Sequence, residues 1–504
     1  MHYVSLLIEF LRGRPAFVFW TVALAQAVLW TLVPALFYSA PPGDVPLLLA
    51  IGHEFVLGSY LGPPLAFWLG EAAFRIAGVF GLYALAQACV VLTYWAVFAL
   101  GRRIVGTRHA MLGVLLMVGV AAFTVPTPNF GPAVLAAPLW ALALLHYWRA
   151  VGERERGYWF LLALDLGLLL LASYAGVILI ILLAAFTLAH RNGQRALLHP
   201  EPWLAAVLFA IVVFPHAAWL GTMWRLVLGG FNDSNLATGT HAPAVWFAVT
   251  LVLTHLGLAL LVLLASGWPR KRKDDAPEIT RHPVSDFAKL YVYVFALAPA
   301  LAAIAFVALS GKLGPLERVT PLVVLSGLAI VVAAGNRVQL YRERLVSSAW
   351  LGLLVVPPAL VVLGMALLPW LTKTELAIAQ PANAEGRYYG DVYERRTGKP
   401  LPYVTGDAKL APLIAMTAPS RPHVYFAWAP ERSPWATAAD VRTQGGLLVW
   451  PATDNAGTPP TAIKEQFPDM VPEVPRSFAR TMQGFLPLIR LGWAMIRPPA
   501  PPQP

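Results

Sequence analysis

The sequence predicts an all-α, polytopic membrane protein that carries a small soluble α/β domain at its C-terminus. Of its 504 residues, 58% are hydrophobic and only 12% are charged, and the mean hydropathy is +0.63. A soluble chain of ordinary composition contains about 25% charged residues. The apolar residues also occur in long uninterrupted blocks, and roughly 20 such residues cross a hydrocarbon core of about 30 Å.

The apolar blocks predict about eleven transmembrane helices within residues 1–371. The last boundary leaves residues 372–497 for the soluble domain and 498–504 for a proline-rich, disordered tail. The predicted spans are 16–38, 78–100, 110–126, 131–148, 159–172, 174–190, 203–222, 244–267, 289–309, 319–335 and 347–370.

Basic residues separate sharply between alternate loops. One set of loops holds 19 of them, and the opposite set, up to residue 371, holds only Arg75, Arg225, Lys312 and Arg318. The loops rich in arginine and lysine of a membrane protein face the cytoplasm. We therefore expect a cytoplasmic N-terminus and, with an odd number of spans, a C-terminal domain in the periplasm of a bacterial inner membrane. The net charge of +11 is then explained by topology, and nucleic-acid binding is not expected.

Two loops on the predicted outer face are long. Residues 39–77 contain two apolar segments, 45–58 and 63–78, that are too short to span a membrane and that we expect to form two interfacial helices. Residues 223–243 are polar and glycine-rich, which is typical of a mobile loop.

The C-terminal domain alternates strand-like and helix-like runs. Residues 402–407, 423–428 and 446–451 are rich in β-branched and aromatic residues, whereas 409–418 and 437–445 between them have helical character. The run 485–498 is expected to return to the sheet as its last strand. Strands that alternate with helices predict a small α/β domain.

Several short motifs follow one another along the chain. An acidic residue follows the first span, two short helices come next, and a proline pair starts the second. The residues concerned are Asp44, Gly52-His53-Glu54-Phe55, Gly58, Tyr60, Pro63-Pro64, Trp68, Asn129, Pro215-His216 and the C-terminal block from Tyr403 to Pro498.

In these motifs the chain resembles membrane glycosyltransferases of the GT-C fold, specifically the family-39-like enzymes that use polyprenyl-phosphate sugars. That group includes protein mannosyltransferases, the aminoarabinose transferase of lipid A and galacturonosyltransferases of the lipopolysaccharide core. The chain departs from the family at three places, because Leu47, Leu61-Gly62 and Ser173 stand where relatives carry a carboxylate or basic residues.

The resemblance implies a periplasmic glycosyl transfer that moves a hexosyl or glycuronosyl group. The donor would be a polyprenyl-phosphate sugar and the acceptor a lipopolysaccharide, lipid or other envelope glycan, with membrane lipids around both. No P-loop, GxSxG, HExxH or zinc-ligand spacing occurs in the chain. No cofactor or metal ligand set is therefore assigned, although the sequence leaves a divalent metal open.

Asp44 is the candidate catalytic base, since glycosyl transfer needs a group that takes the proton of the acceptor hydroxyl. The alternative role is structural. Gly43-Asp44-Val45-Pro46 is also a favourable helix start, with Asp44 as the capping residue and proline in the first turn.

The donor phosphate requires cations at the outer face. Lys312 and Arg318 lie six positions apart in one short loop, and Arg225 is a candidate mobile helper. Further candidate substrate-binding residues are His53, Glu54, Asn129 and His216. For each of these the alternative is structural: a snorkelling helix anchor, a solvated helix face, a turn residue or a contact at a helix bend.

Two functions of other classes remain open from the sequence. A transporter or flippase of a lipid-linked saccharide would carry internal repeats and ionisable groups near the membrane midplane. No repeat is clear, and the midplane candidates are Asp165 and His255. A non-catalytic member of the same fold would use the α/β domain to bind a partner.

Overall fold

The computed structural model describes residues 13–125, 129–233, 243–266, 278–281, 283–314, 319–339 and 343–498. The predicted disordered tail lies outside the described residues from position 499 onward. The same is true of Arg12, of Arg342 and of the basic run at residues 270–273.

Helices form most of the described chain. The α-helices are α1 (Pro15–Phe37), α2 (Val45–His53), α3 (Leu65–Val105), α4 (Thr107–Met117), α5 (Ala121–Thr124), α6 (Pro132–Tyr147), α7 (Tyr158–Ala172), α8 (Gly176–Ala189), α9 (Arg191–Ala196), α10 (Glu201–Asp233), α11 (Pro243–Thr254), α12 (Leu256–Ala265), α13 (Asp286–Ser310), α14 (Ser326–Ala333), α15 (Glu343–Leu371), α16 (Ala382–Thr397), α17 (Leu410–Thr417), α18 (Ala438–Gln444) and α19 (Thr461–Gln466). A π-helical turn, Trp148–Gly152, extends α6, and a 3-10 helix, Thr320–Val323, precedes α14.

Seven strands accompany these helices. They are β1 (Glu278–Thr280), β2 (Arg337–Gln339), β3 (Tyr403–Gly406), β4 (His423–Tyr425), β5 (Gly446–Pro451), β6 (Pro472–Phe478) and β7 (Ile489–Ile496). The first two form a separate pair, and the other five form one sheet.

Every predicted span overlaps a helix, and the protein is a multi-pass membrane protein. Within the described residues six helices are long and apolar enough to cross a membrane, or seven when the bent pair α11 and α12 counts as one. The helices α7 and α8 and the segment 320–333 are apolar but shorter. The predicted number of eleven spans therefore stays a prediction.

The first outer loop contains the two expected helices. The first is α2, and the second is the beginning of α3, which bends at Ala77 and Gly78. Gly78 has φ +60°, a conformation that costs glycine little and other residues more. The bend therefore falls at the predicted boundary between the second helix of the loop and the following span.

One prediction about the outer loops was wrong. Residues 223–233 of the expected mobile loop continue α10 after a single non-helical residue at Met223. The apolar residues before Met223 and the helix formers Arg225 and Leu226 let the helix propagate, although glycines follow at positions 229 and 230. Positions 234–242 lie outside the described residues.

By their internal contacts, residues of the chain divide into two compact units. Unit 1 comprises residues 1–32, 60–66 and 82–359, and unit 2 comprises 33–59, 67–81 and 360–504. Unit 2 thus contains the predicted C-terminal domain together with α2 and the part of α3 that precedes its bend.

The core of unit 1 is formed by interdigitated apolar and aromatic side chains. Tyr147 and Tyr291 stack with ring centroids 5.9 Å apart, and Phe186 and Phe295 pack around them. The buried Tyr291 hydroxyl donates a hydrogen bond to Leu144 O at 2.6 Å. Each aromatic pair of this kind adds about 1 kcal/mol beyond the area it buries.

In unit 1, contacts form between loops that belong to the set rich in basic residues. Arg103 pairs with Glu153, and Arg156 lies 3.6 Å from Glu201. Strands β1 and β2, from two further loops of that set, pair in antiparallel register with Ile279 opposite Val338. These contacts agree with the predicted partition of the loops.

Unit 2 contains the predicted α/β sheet. Its strand order is β4-β3-β5-β7-β6; β4, β3 and β5 are parallel, whereas β7 runs antiparallel to both of its neighbours. All the strand-like runs identified in the sequence are present. The sequence prediction missed β6 and the helices α16 and α19, whose polar or proline-containing sequences show no clear periodicity.

Candidate functional site

Asp44 lies at the start of α2 with an exposed side chain. Its carbonyl oxygen accepts a hydrogen bond from Leu48 N at 2.8 Å, and Pro46 occupies the first helical turn. The carboxylate makes no capping hydrogen bond to the helix. The helix start is therefore held by backbone and proline, and the acidic side chain remains available for another role.

The rest of α2 is buried. Seven of its nine residues are enclosed in unit 2, because the helix packs against α17 and β4. A Cβ atom on Gly52 would collide with the carbonyl oxygen of Phe67 in α3. This close approach fixes α2, and Asp44 with it, against the first turns of α3.

The far end of α2 joins a buried network of charges around Glu71. This carboxylate, 1% exposed, accepts hydrogen bonds from Arg75 Nε at 2.9 Å and Arg421 Nη2 at 2.6 Å. The ring nitrogen Nδ1 of His53 lies 3.3 Å from the same carboxylate. A buried carboxylate is stable only when several such partners replace its water.

A second carboxylate–histidine pair continues this network. Glu54 Oε1 lies 2.7 Å from Nδ1 of His423 at the start of β4, and the rings of His53 and His423 are 5.3 Å apart. The hydrogen bond with Glu54 raises the pKa of His423 above its ordinary value, against the opposing effect of burial. The sequence prediction identified His53 and Glu54 as substrate-binding candidates but missed their partners.

Arg421 is the partner of Glu71 that lies farthest away in sequence. Its backbone adopts the left-handed conformation, with φ +51°, and its guanidinium stacks 4.5 Å over the ring of Phe74. Burial lowers its pKa, and the carboxylate of Glu71 opposes that change. The i, i+4 spacing of Glu71 and Arg75 was the only part of this network visible in the sequence.

In unit 1, two of the candidates, His216 and the loop of Lys312, are connected through aromatic rings. His216 is buried in α10, where its Nε2 lies 3.1 Å from the hydroxyl of Tyr174. The ring of Tyr174 is 6.1 Å from that of Phe231, and a Cβ atom on Gly314 would meet the Phe231 ring. The structure therefore brings the Lys312 loop and the Tyr174–His216 pair against the end of α10.

The remaining candidates occupy separate positions. Lys312 is partly exposed directly after α13, and its backbone amide donates to Ser310 Oγ at 3.2 Å. Arg225 is exposed on α10, with its guanidinium 5.5 Å from the Trp224 ring centroid, so it is a helix residue and not part of a mobile loop. Asn129 is partly buried just before α6. Arg318 lies outside the described residues.

The two midplane candidates, Asp165 and His255, are engaged in contacts between helices. Asp165 Oδ2 lies 2.5 Å from Nδ1 of His146. His255 contacts Ser326 Oγ at 2.9 Å and Leu251 O at 2.7 Å. Among the described residues, no three histidine, cysteine or acidic side chains form a group that could hold a metal ion.

Comparison with known proteins gives two kinds of similarity. Residues 62–219 match a family model described as dolichyl-phosphate-mannose-protein mannosyltransferase. A search of curated protein sequences finds no match.

Solved structures resemble most of the chain. The crystal structure of ArnT from Cupriavidus metallidurans bound to undecaprenyl phosphate has a TM-score of 0.50 at 14% identity, over 96% of this chain and 99% of that one. The Archaeoglobus fulgidus oligosaccharyltransferase in its apo form has a TM-score of 0.44 at 15% identity, over 88% and 70%.

Proposed function

From the GT-C glycosyltransferase fold of this membrane protein, we propose that it transfers a hexosyl or glycuronosyl group from a polyprenyl-phosphate donor to an envelope acceptor. The acceptor is a lipopolysaccharide, a lipid or another glycan. One observation carries the assignment of the catalytic group. Asp44 is exposed and makes no capping hydrogen bond at the start of a helix in which seven of nine residues are buried.

Asp44 acts as the general base in this proposal. An acceptor hydroxyl attacks C1 of the donor sugar while the Asp44 carboxylate takes the hydroxyl proton. The bond between C1 and the phosphate oxygen breaks, and the polyprenyl phosphate leaves with the electron pair. The buried network around Glu71 fixes α2, so the carboxylate needs little reorganisation during the reaction.

The leaving phosphate needs a cation, and Lys312 is the described residue that we assign to it. A phosphate at the membrane boundary has few waters, which makes an unpaired charge costly. Lys312 lies in the loop that packs on Phe231, next to the Tyr174–His216 pair. Arg318, six positions later in the sequence, and Arg225 on α10 are the further cations of the proposal.

The competing transporter hypothesis receives less support. It requires ionisable groups that change partners near the midplane. Asp165 and His255 instead hold neighbouring helices together through His146 and Ser326. Such contacts satisfy buried polar groups and explain their presence without transport.

The orientation is part of the proposal. With the basic loops in the cytoplasm, a reporter that is active only outside the cytoplasm should work when fused after residue 380 and fail after residue 275. Activity at residue 275 would reverse the orientation and remove Asp44 from the periplasmic face.

The activity is tested by mass spectrometry of envelope lipids and glycans from cells with and without the gene. We expect loss of a hexose- or uronate-sized mass increment. Asp44→Asn should fail to restore that increment, whereas Asp391→Asn, which changes an exposed carboxylate on α16, should restore it. Restoration by Asp44→Asn at normal protein levels would reduce Asp44 to a structural residue.

The phosphate assignment is tested separately by direct binding of a short-chain polyprenyl-phosphate sugar to purified protein. The double variant Lys312→Ala/Arg318→Ala should bind at least tenfold more weakly, a loss of about 1.4 kcal/mol. Lys399→Ala, an exposed lysine of unit 2, serves as the control. Unchanged affinity in the double variant would contradict the assignment and direct attention to His53 and Arg225.

A further inference from the structure

A second group of buried polar atoms lies at the basic face of unit 1, around Arg281. This residue directly follows β1, and its backbone amide donates to Asn336 O at 3.0 Å. Its side chain reaches the end of α14, where Nη2 donates to Val332 O at 3.1 Å. The β1–β2 pair and α14 thus fix the position of the guanidinium.

Three of the five N–H groups of this guanidinium have no acceptor among the residues that the structure describes. Nε and Nη1 are enclosed, and no described residue accepts a hydrogen bond from either of them. No carboxylate of the described chain forms an ion pair with Arg281. Burial lowers the pKa of the guanidinium below its ordinary value, and nearby Tyr293 opposes the change. Arginine stays charged in proteins, so the positive charge remains in this enclosed position.

His109 adds a second unsatisfied nitrogen. It is 1% exposed in the first turn of α4, and its Nε2 has no hydrogen-bond partner among the described residues. Burial and the charge of Arg281 lower the pKa of His109 to about 4, so the imidazole is neutral at pH 7. A neutral imidazole can present an N–H at Nε2 without adding charge.

The packing of α4 against α14 brings the two side chains together. A Cβ atom on Gly327 would collide with the carbonyl oxygen of Gly113, so the helices touch at this point. His109 lies about one turn before Gly113, and Val332 lies somewhat more than one turn after Gly327. α4 begins after a loop of the basic set and α14 ends before another, so the two helices run in opposite directions and these offsets place His109 on the side of Val332.

A purely structural role accounts for only part of this arrangement. Arg281 could cap the C-terminus of α14 through Val332 O, where a cation is favourable. That bond uses one of the five N–H groups of the guanidinium. A buried donor without a partner is destabilising, so Nε, Nη1 and His109 Nε2 favour a ligand that carries several acceptor oxygens.

We propose that Arg281 and His109 form a binding site for a phosphate group, which an anionic phospholipid headgroup supplies. A phosphate presents several acceptor oxygens and can engage an arginine through two parallel hydrogen bonds. Arg281 as a whole is partly exposed, so part of this residue is open to a ligand.

The location favours a lipid as the source of the phosphate. Arg281 precedes α13, an apolar helix of 25 residues, by five positions, and His109 belongs to the first turn of α4. Helix ends of a membrane protein lie at the depth of the lipid headgroups, where basic pockets between helices attract anionic lipids. The site is independent of the proposed transferase reaction.

The test uses the full-length protein, purified in detergent and depleted of lipid. Thermal unfolding is followed with phosphatidylglycerol, with phosphatidylcholine or with inorganic phosphate added. Wild type should be stabilised by phosphatidylglycerol more than by phosphatidylcholine, and Arg281→Gln should lose that difference. The matched control is Arg108→Gln, which removes an exposed arginine next to His109 and should respond as wild type does.

A titration measures the affinity for phosphatidylglycerol. Arg281→Gln should weaken it at least tenfold, and His109→Phe, which removes the imidazole nitrogen, should weaken it less. An unchanged lipid response in Arg281→Gln would overturn the proposal. If inorganic phosphate alone stabilises wild type as strongly, the phosphate site stands and its lipid source is overturned.

Arg281→Gln is also expected to lose its contact with α14, so a second measurement on wild type guards against misfolding of the variant. Native mass spectrometry should show one phosphatidylglycerol retained in preference to phosphatidylcholine. The absence of that preference would overturn the proposal even if the variant cannot be purified.

Discussion

Two arginines of this protein are both partly buried, but they differ in the groups that surround the positive charge. Arg421 in unit 2 and Arg281 in unit 1 are both buried enough for the pKa to fall below its ordinary value. Arg421 meets the carboxylate of Glu71 and the ring of Phe74. Arg281 meets only main-chain carbonyl oxygen among the described residues. A buried guanidinium does not become neutral by losing its proton. Its positive charge must therefore be compensated by a group of the chain or by a ligand.

The largest effect should come from breaking the ion pair between Glu71 and Arg421. Glu71→Gln removes the charge that compensates Arg421, and removal of one partner of a buried ion pair costs about 3 to 5 kcal/mol. We expect this loss in the free energy of unfolding, measured with denaturant in detergent. The double variant Glu71→Gln/Arg421→Gln should lose less than the sum of the single losses, because neither charge is then left alone.

The matched control in that network is Arg75→Gln. Arg75 bonds to the same carboxylate, yet its side chain is 53% exposed, so its loss should cost less than 1 kcal/mol. Equal costs for Glu71→Gln and Arg75→Gln would show that burial does not distinguish the two contacts.

Glu385 extends the comparison to a buried acid, which, unlike a buried arginine, can become neutral by binding a proton. It is fully buried in α16, and burial raises its pKa from 4.5 to about 7, although Gln380 Nε2 donates to both carboxylate oxygens. The folded state therefore binds the proton of Glu385 more tightly than the unfolded state does. The contribution of Glu385 to the free energy of unfolding is highest below pH 4.5 and falls as the pH rises to about 7.

The expected size of that fall is up to about 3 kcal/mol, at 1.4 kcal/mol for each pKa unit. Glu385→Gln should remove it and leave a variant that is more stable than wild type at pH 8 but not at pH 4. Denaturant unfolding at the two pH values measures this. A difference between variant and wild type that stays constant with pH would contradict the prediction.

The smallest effect concerns the partly exposed pair of Glu54 and His423. The pKa of His423 is raised, so the pair stabilises unit 2 below about pH 6.5 and loses that contribution as the pH rises through the raised value. Glu54→Gln should return the pKa of His423 toward its ordinary value, which NMR titration of the histidine ring would show. The stability cost at pH 6 should stay below about 1 kcal/mol, because the imidazole is 45% exposed.

Much of the fold was predictable because its determinants are local. Apolar blocks located a helix in every predicted span, and the predicted boundary near position 78 coincides with the bend in α3. Alternating strand and helix patterns predicted most of the sheet in unit 2. By contrast, β6 carries two prolines and α16 is polar, so neither has the periodicity from which a strand or helix is recognised.

The candidate site was predictable only in part. Asp44, His53 and Glu54 belong to a recognisable local pattern, and their positions in α2 follow from it. Their setting depends on Arg421, which is 350 positions from Glu71, and on His423, which is 369 positions from Glu54. Pairings over such distances are set by tertiary packing, which a single sequence does not encode as a local pattern.

The contact between α4 and α14 has a consequence for biogenesis. Gly113 touches Gly327, and Gly119 at the end of the same segment touches Gly257. The ribosome synthesises α4 long before α12 and α14, which contain Gly257 and Gly327. At about 5 to 20 residues per second, some 200 further residues take roughly 10 to 40 seconds. Because α4 has only eleven residues, it does not span a bilayer alone. During synthesis this short helix is therefore made before α14, and their contact forms only after the middle third of the chain has been synthesised.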